Sequence, residues 1–219
     1  PYTRGSLYDV LDRYYQTAKS AKADVVVRIT ADCPVIDPEL IDSVVNTLLE
    51  GEYDFVCNRL PPPWTRTYPI GLDVEACTFA ALKTAWQEAK EPQHREHVMP
   101  YFYEGVHFES KVKGRKADLR PSTFDLEQGV SPREFRVTLI HNPTDFGDYR
   151  WTVDTPEDLE FIRQVYNRFD GRDDFSWKEV LELVHDNPEL MKINAGVKHK
   201  TLKDIDQRAA DHRAASRRD

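Results

Sequence analysis

The chain has 219 residues and a formal charge of −8, from 38 acidic against 30 basic side chains, which argues against nucleic acid as its principal partner because phosphate backbones need a net basic surface. No apolar run is long enough to span a bilayer, and no secretory signal is expected. With three cysteines that lack Cys-x-x-Cys spacing, the expectation is a cytoplasmic protein whose Cys33, Cys57 and Cys77 are reduced and mostly buried.

The length allows one ordinary α/β domain with a surplus for an insertion and a tail. Ser6, with an acid three residues on at Asp9, resembles a capping box, and Leu7, Val10, Leu11, Tyr14, Tyr15, Ala18 and Ala21 follow at helical spacing. This predicts a helix to about Ala23. Val25-Val26-Val27-Arg28-Ile29 then reads as a strand buried on both faces of a parallel sheet, and it stops at Asp32. Asp37, Pro38 and Glu39 are three agreeing helix-start signals, and the helix they open ends near Gly51. Ligands of open α/β sheets bind beyond the carboxyl ends of the strands, so Asp32 is a candidate metal or substrate carboxylate. The plainer alternative is a loop residue.

Tyr53–Cys57 is read as a short strand that leads into a proline-rich loop, Asn58–Pro69. Arg59, Trp64, Arg66 and Tyr68 of that loop either touch a ligand or belong to a rigid connection. From Gly71 to Cys77 polar and apolar residues alternate, placing Asp73 and Glu75 on one face and Leu72, Val74 and Ala76 on the other. The two carboxylates form a solvated face, or hydroxyl-binding groups for a polyol if they border the Asp32 rim. Thr78 caps the next helix.

His94 and His97 lack the spacing of a metalloprotease pair, and the readings left open are substrate contact by Arg95 or His97 and subunit contact by the aromatic run that follows. Residues 91–135 are expected to form an insertion or dimerisation excursion. Arg136–Ile140 is a further strand. Tyr149–Val153 is read as another, ending in Asp154, with Thr155-Pro156-Glu157-Asp158 starting a helix that carries Leu159, Phe161, Ile162, Val165 and Tyr166. The chain thus repeats one device: strand, terminal aspartate, proline-started helix. Two carboxylates at one rim of a sheet suit Mg²⁺, which takes oxygen ligands and keeps positions for water and phosphate. Ser176 and Glu179 make a capping box, Asn187-Pro188 opens a short turn, and 198–219 reads as a flexible charged tail behind a domain spanning 1–197. Neither a Gly-x-Ser-x-Gly elbow nor a Gly-rich phosphate loop is present, so any nucleophile belongs to a substrate.

Several segments in order carry a family likeness: Asp9-Val10-Leu11-Asp12-Arg13-Tyr14-Tyr15, Arg28-Ile29-Thr30-Ala31-Asp32-Cys33-Pro34, Gly71-Leu72-Asp73-Val74-Glu75, Arg95-Glu96-His97-Val98 and Trp151-Thr152-Val153-Asp154-Thr155-Pro156-Glu157-Asp158-Leu159. They resemble the spore-coat polysaccharide biosynthesis protein F group, related to the cytidylyltransferases that activate 3-deoxy-manno-octulosonate and acylneuraminate. The resemblance implies a nucleotide-diphospho-sugar transferase fold, a GT-A-like, Rossmann-like three-layer α/β sandwich. A sugar-acid hydroxyl would attack the α-phosphorus of CTP and release pyrophosphate, in a homodimer. It also implies metal ligation by Asp32 and Asp154, nucleotide contact by Ser6, Asp12, Arg13 and Arg28, and sugar contact by Asp73, Glu75, Arg95 and His97. Against the family pattern the chain is expected to be N-terminally truncated, lacking the first strand and its cationic loop. A non-catalytic sugar- or nucleotide-binding relative and a glycosyltransferase on the same scaffold are the alternatives.

Overall fold

A computed structural model describes residues 2–113 and 124–198; all of the expected tail beyond Lys198 lies outside the described residues. The elements in chain order are α1 (Val10–Ala21), β1 (Val25–Arg28), α2 (Pro38–Glu50), β2 (Phe55–Cys57), β3 (Glu75–Thr78), α3 (Phe79–Glu88), α4 (Pro92–His97), α5 (Pro100–Tyr103), β4 (His107–Lys113), β5 (Asp125–Val130), β6 (Arg136–His141), α6 (Pro156–Arg168), α7 (Trp177–Asp186) and a 3₁₀ turn, Pro188–Lys192.

The strands form one sheet in the order β1-β3-β2-β6-β5-β4. Only β2 and β6 pair in parallel; the other neighbours are antiparallel. Alternation along the strands divides two cores. Val56, Ala76 and Ile140 face the layer of α2, α6 and α7, while Phe55, Cys57, Cys77, Val137 and Leu139 face the layer of α1, α3, α4 and α5. The result is the expected three-layer α/β sandwich.

Local chemistry explains most of the helix starts. The Asp37 carboxylate accepts from the N–H groups of Glu39 and Leu40, with Pro38 in the first helical position. Thr155 with Asp158, and Ser176 with Glu179, form reciprocal capping boxes. At α1 the cap is Asp9, which accepts from Asp12 N–H at 3.0 Å; Ser6 instead accepts from Tyr8 N–H in a turn before the helix. Ser6 is therefore not the helix cap, because the chain enters the helix three residues later.

Two strand expectations are corrected. Val25–Arg28 is not enclosed in a parallel sheet: β1 is half-buried at the sheet edge, antiparallel to β3, and ends four residues before Asp32. A β-branched run indicates apolar cover but carries no information about which distant segment pairs with it. Tyr149–Val153 joins no ladder strand and makes one parallel bridge, Ile70 to Arg150. Its amide groups are satisfied otherwise, Trp151 N–H by Ile70 O at 2.7 Å and Val153 N–H by Asp32 O at 2.9 Å. Gly71 makes this approach possible: its φ is +105°, and a Cβ there would stand 2.6 Å from the Thr152 nitrogen. In α6, Leu159 points to solvent while Phe161, Ile162 and Val165 are buried. Within 91–135, α5 and its cap residue Met99 bring Met99 and Phe102 into the second core, and β4 pairs antiparallel with β5 at the far sheet edge.

Candidate functional site

Polar groups gather beyond the end of β1. Asp32 lies in the loop from β1 to α2 and Asp154 in the segment that leads into α6. The two segments are laced together: Val153 N–H donates to Asp32 O at 2.9 Å, and the Thr152 hydroxyl donates to the same oxygen at 3.1 Å and to the Asp32 carboxylate at 3.3 Å. The Tyr166 hydroxyl of α6 adds a bond to Pro34 O at 2.9 Å. Asp32 and Asp154 therefore share one rim although 121 positions separate them along the chain.

Beside that rim is a cavity of about 160 Å³, lined by Arg28, Thr30, Arg59, Asp73, Glu75, His97, Pro100 and Tyr103. It is smaller than the ~300–1,000 Å³ usual for a small-molecule site, so it suits part of a ligand. Asp73 and Glu75 share the face that the alternation of their segment predicts, but the face is not solvated: Glu75 is 4 % exposed. Arg28 reaches across from β1 to pair with it. Burial works against the Arg28 charge, yet Glu75 outweighs burial and pulls the guanidinium pKa up. Asp73 is gripped by both terminal nitrogens of Arg66, one at 3.0 Å. Burial lowers the His97 pKa below 6.5, with Arg28 and Arg59 acting in the same direction and Glu96 opposing, so the cavity presents a neutral imidazole at pH 7. Cys33 connects cavity and rim. Burial pushes its thiol up to about 11, and the fields of Asp32 and of Asp73 add to the rise. It stays a protonated, structural thiol.

The remaining expected site residues fall elsewhere. Arg13 lines a groove of about 790 Å³ between α1 and the outer edge of β1, which Arg28 borders in addition to the cavity. Ser6 is exposed in the turn before α1. Asp12 accepts from Trp86 Nε1 at 2.8 Å and from Gln16 at 3.1 Å; Arg95 donates to Asp9 at 2.6 Å and to Trp86 O at 2.9 Å. These two tie α1 to α3 and α4, and neither lines the cavity of His97. In the proline-rich loop Tyr68 is buried against Trp177 and Trp64 packs edge-on to Tyr103, whereas Arg59 reaches the cavity.

Sequence reasoning missed Arg150, which it assigned to a strand. Its guanidinium donates to Asp154 at 2.7 Å and twice to the fully buried Asp158, at 2.8 Å each. Asn194 adds bonds to Arg150 O and Asp158. Burial alone would raise the Asp158 carboxyl, but the bonds from Arg150, Asn194 and the Asp154 N–H outweigh it and hold it at about 2. The available signal was Asp158 itself, an acid with no exposed face in α6 that needs a buried cation opposite.

A helix-covered mixed sheet with its polar residues gathered beyond one strand end is a nucleotidyltransferase architecture of Rossmann-like type. The solved structure of a cytidylyltransferase from Leptospira borgpetersenii is similar to it, with a TM-score of 0.70 and 28% identity over 90% of this chain and 70% of that one. The chain belongs to the cytidylyltransferase family, whose model matches residues 2–176. Among curated relatives, uncharacterized protein MJ1063 of Methanocaldococcus jannaschii is 32% identical over 93% of this chain and 71% of its own length. Spore coat polysaccharide biosynthesis protein SpsF of Bacillus subtilis is 28% identical, over 85% and 65%. A 3-deoxy-manno-octulosonate cytidylyltransferase of Chlorobium phaeobacteroides is 25% identical, over 71% and 66%. The chain thus spans about two thirds of the length of these relatives. No described helix is long and apolar enough to cross a membrane.

Proposed function

We propose that this chain takes part in transferring a cytidylyl group from CTP to a sugar acid for a surface polysaccharide, with release of pyrophosphate and dependence on Mg²⁺. Family membership supports the reaction class, and relatives named for a polysaccharide and for 3-deoxy-manno-octulosonate support the acceptor class. The observation that most supports the reading is the bond from Val153 N–H to Asp32 O, which sets the backbone of Asp32 beside the residue preceding Asp154.

Asp32 and Asp154 offer hard oxygen donors that fit a divalent ion, and Arg150 already offsets part of the Asp154 charge. Among the described residues no cluster of three or more metal-binding side chains forms, so these two would hold the ion together with water and phosphate. Held there, Mg²⁺ would offset charge on the phosphate oxygens. The protein's own groups position the acceptor. Glu75, fixed by Arg28, and Asp73, fixed by Arg66, present oxygens to sugar hydroxyls, while neutral His97 can accept or donate a hydrogen bond. Holding the attacking hydroxyl in place supplies much of the rate, since phosphoryl transfer asks the protein mainly for positioning and charge compensation.

Calorimetry of the chain with CTP and Mg²⁺, alongside a pyrophosphate-release assay with 3-deoxy-manno-octulosonate, tests the reading. Binding heat that Asp154→Asn abolishes is the expected result. Absence of both heat and pyrophosphate for the unaltered chain overturns it.

A further inference from the structure

The part of the small cavity lined by His97, Pro100 and Tyr103 is built over a strained turn. α4 ends at His97 and α5 begins at Pro100. Between them Val98 has φ +67° and ψ −65°, and the Met99 N–H donates back to His97 O at 2.8 Å. Those angles, with a hydrogen bond closing three residues, make a γ-turn of the rare, strained kind. A β-branched residue is an outlier at positive φ, and Val98 is fully buried besides. Such a conformation persists only where its surroundings over-determine it, and here both flanks are tied. Arg95 bonds to Asp9 and to Trp86 O. His94, 3% exposed, donates through Nε2 to the Glu104 carboxylate at 2.7 Å. Gln93 and Arg133 reach the same carboxylate at 3.2 and 3.4 Å, and Arg133 also holds Tyr101 O at 3.2 Å. None of these groups lines the cavity.

We infer that Glu104, acting through His94, is a positioning residue for His97: it clamps α4 to the end of α5 and so keeps the Val98 turn closed, with the imidazole at the cavity wall. The inference rests on the reading of this cavity as the acceptor site, which gives His97 its work, and adds the device that holds the ring there. Without the clamp the turn relaxes towards an ordinary φ. His97, whose carbonyl closes the turn, then leaves its place and its ring becomes hydrated.

The His97 imidazole is its own reporter, followed by NMR across pH and identified by its absence from the spectrum of His97→Gln. Its midpoint lies below 6.5 through burial, with Arg28 and Arg59 pressing the same way and Glu96 and Glu75 opposing. Glu104→Ala should raise the midpoint towards 6.5. Loss of the Glu104 charge by itself only lowers it, so a rise reads the opening of the turn. Glu104→Gln, which removes the charge but keeps an oxygen for the His94 donor, should stay near the unaltered protein. In a Val98→Gly background φ +67° carries no strain, and Glu104→Ala should there move the midpoint far less. Thermal melts establish that each variant folds; should Glu104→Ala not fold, His94→Phe, which keeps a ring and deletes its donor, repeats the test. A Glu104→Ala protein whose melting temperature falls while the His97 midpoint stays or drops overturns the inference. So does an equal rise in Glu104→Gln, or an undiminished one in the Val98→Gly background. Neither CTP nor sugar enters the titration, so failure of cytidylyl transfer and failure of the clamp are separate outcomes.

Discussion

Val153 N–H and the Thr152 hydroxyl both donate to the carbonyl oxygen of Asp32, at 2.9 and 3.1 Å. This doubly held oxygen joins the loop after β1 to the segment before α6, and the hydroxyl also steadies the Asp32 carboxylate. Replacing Thr152 with Val keeps the volume and deletes the hydroxyl. Thr152→Val should lower stability by about 1 kcal/mol, the net worth of a buried hydrogen bond, as read by urea denaturation. It should also weaken binding of CTP with Mg²⁺ in calorimetry.

Gly71 lies where the 69–72 turn meets the 150–153 segment. An added Cβ would meet the Trp151 carbonyl carbon at 2.7 Å and the Thr152 nitrogen at 2.6 Å, and φ is +105°. Both atoms are backbone and cannot swing aside. Gly71→Ala should cost more than about 2 kcal/mol through strain and clash together, measured by denaturant unfolding.

Acid should attack the molecule through Asp158. Its carboxyl is held at about 2 against an ordinary 3.8, so the unfolded chain takes up this proton first as pH falls. The stabilisation is fully present above about pH 4 and is lost as pH drops towards 2. It amounts to roughly 2 kcal/mol by linkage. Asp158→Asn should be less stable at pH 7 and should flatten the acid limb between pH 4 and 2, followed by thermal melts across that range.

His97 predicts a second, milder slope. Its native pKa lies below 6.5 because it is buried, so the unfolded chain protonates it first when pH falls below about 6.5. Stability should therefore decline from that point until the native imidazole also charges, and should be insensitive to this group above it. In His97→Gln the difference in unfolding free energy between pH 7 and pH 5.5 should shrink.

Signals that live in a few adjacent residues were legible: Asp37-Pro38, Thr155 with Asp158, and Ser176 with Glu179 start helices where the sequence places them. The alternation through Asp73 and Glu75 placed both carboxylates on one face. Long-range pairing was not legible. β1 has the composition of an enclosed strand yet ends the sheet, because its neighbour β3 arrives some 50 residues later. Arg95 and Asp12 stand in family-like segments, and only the folded chain shows their hydrogen bonds going to Asp9 and Trp86. Arg150 escaped notice because its partners lie beyond the end of the extended run it belongs to.

One carboxylate at Asp37 caps two helices. One of its oxygens receives the Glu39 and Leu40 N–H groups and the other that of Trp177, 140 residues away. In deuterated solvent, the amides of Leu40 and Trp177 should therefore exchange with closely matched protection factors, opening as one cooperative unit. Asp37→Ala should release both sets of protons together and leave the β5–β6 amides slow.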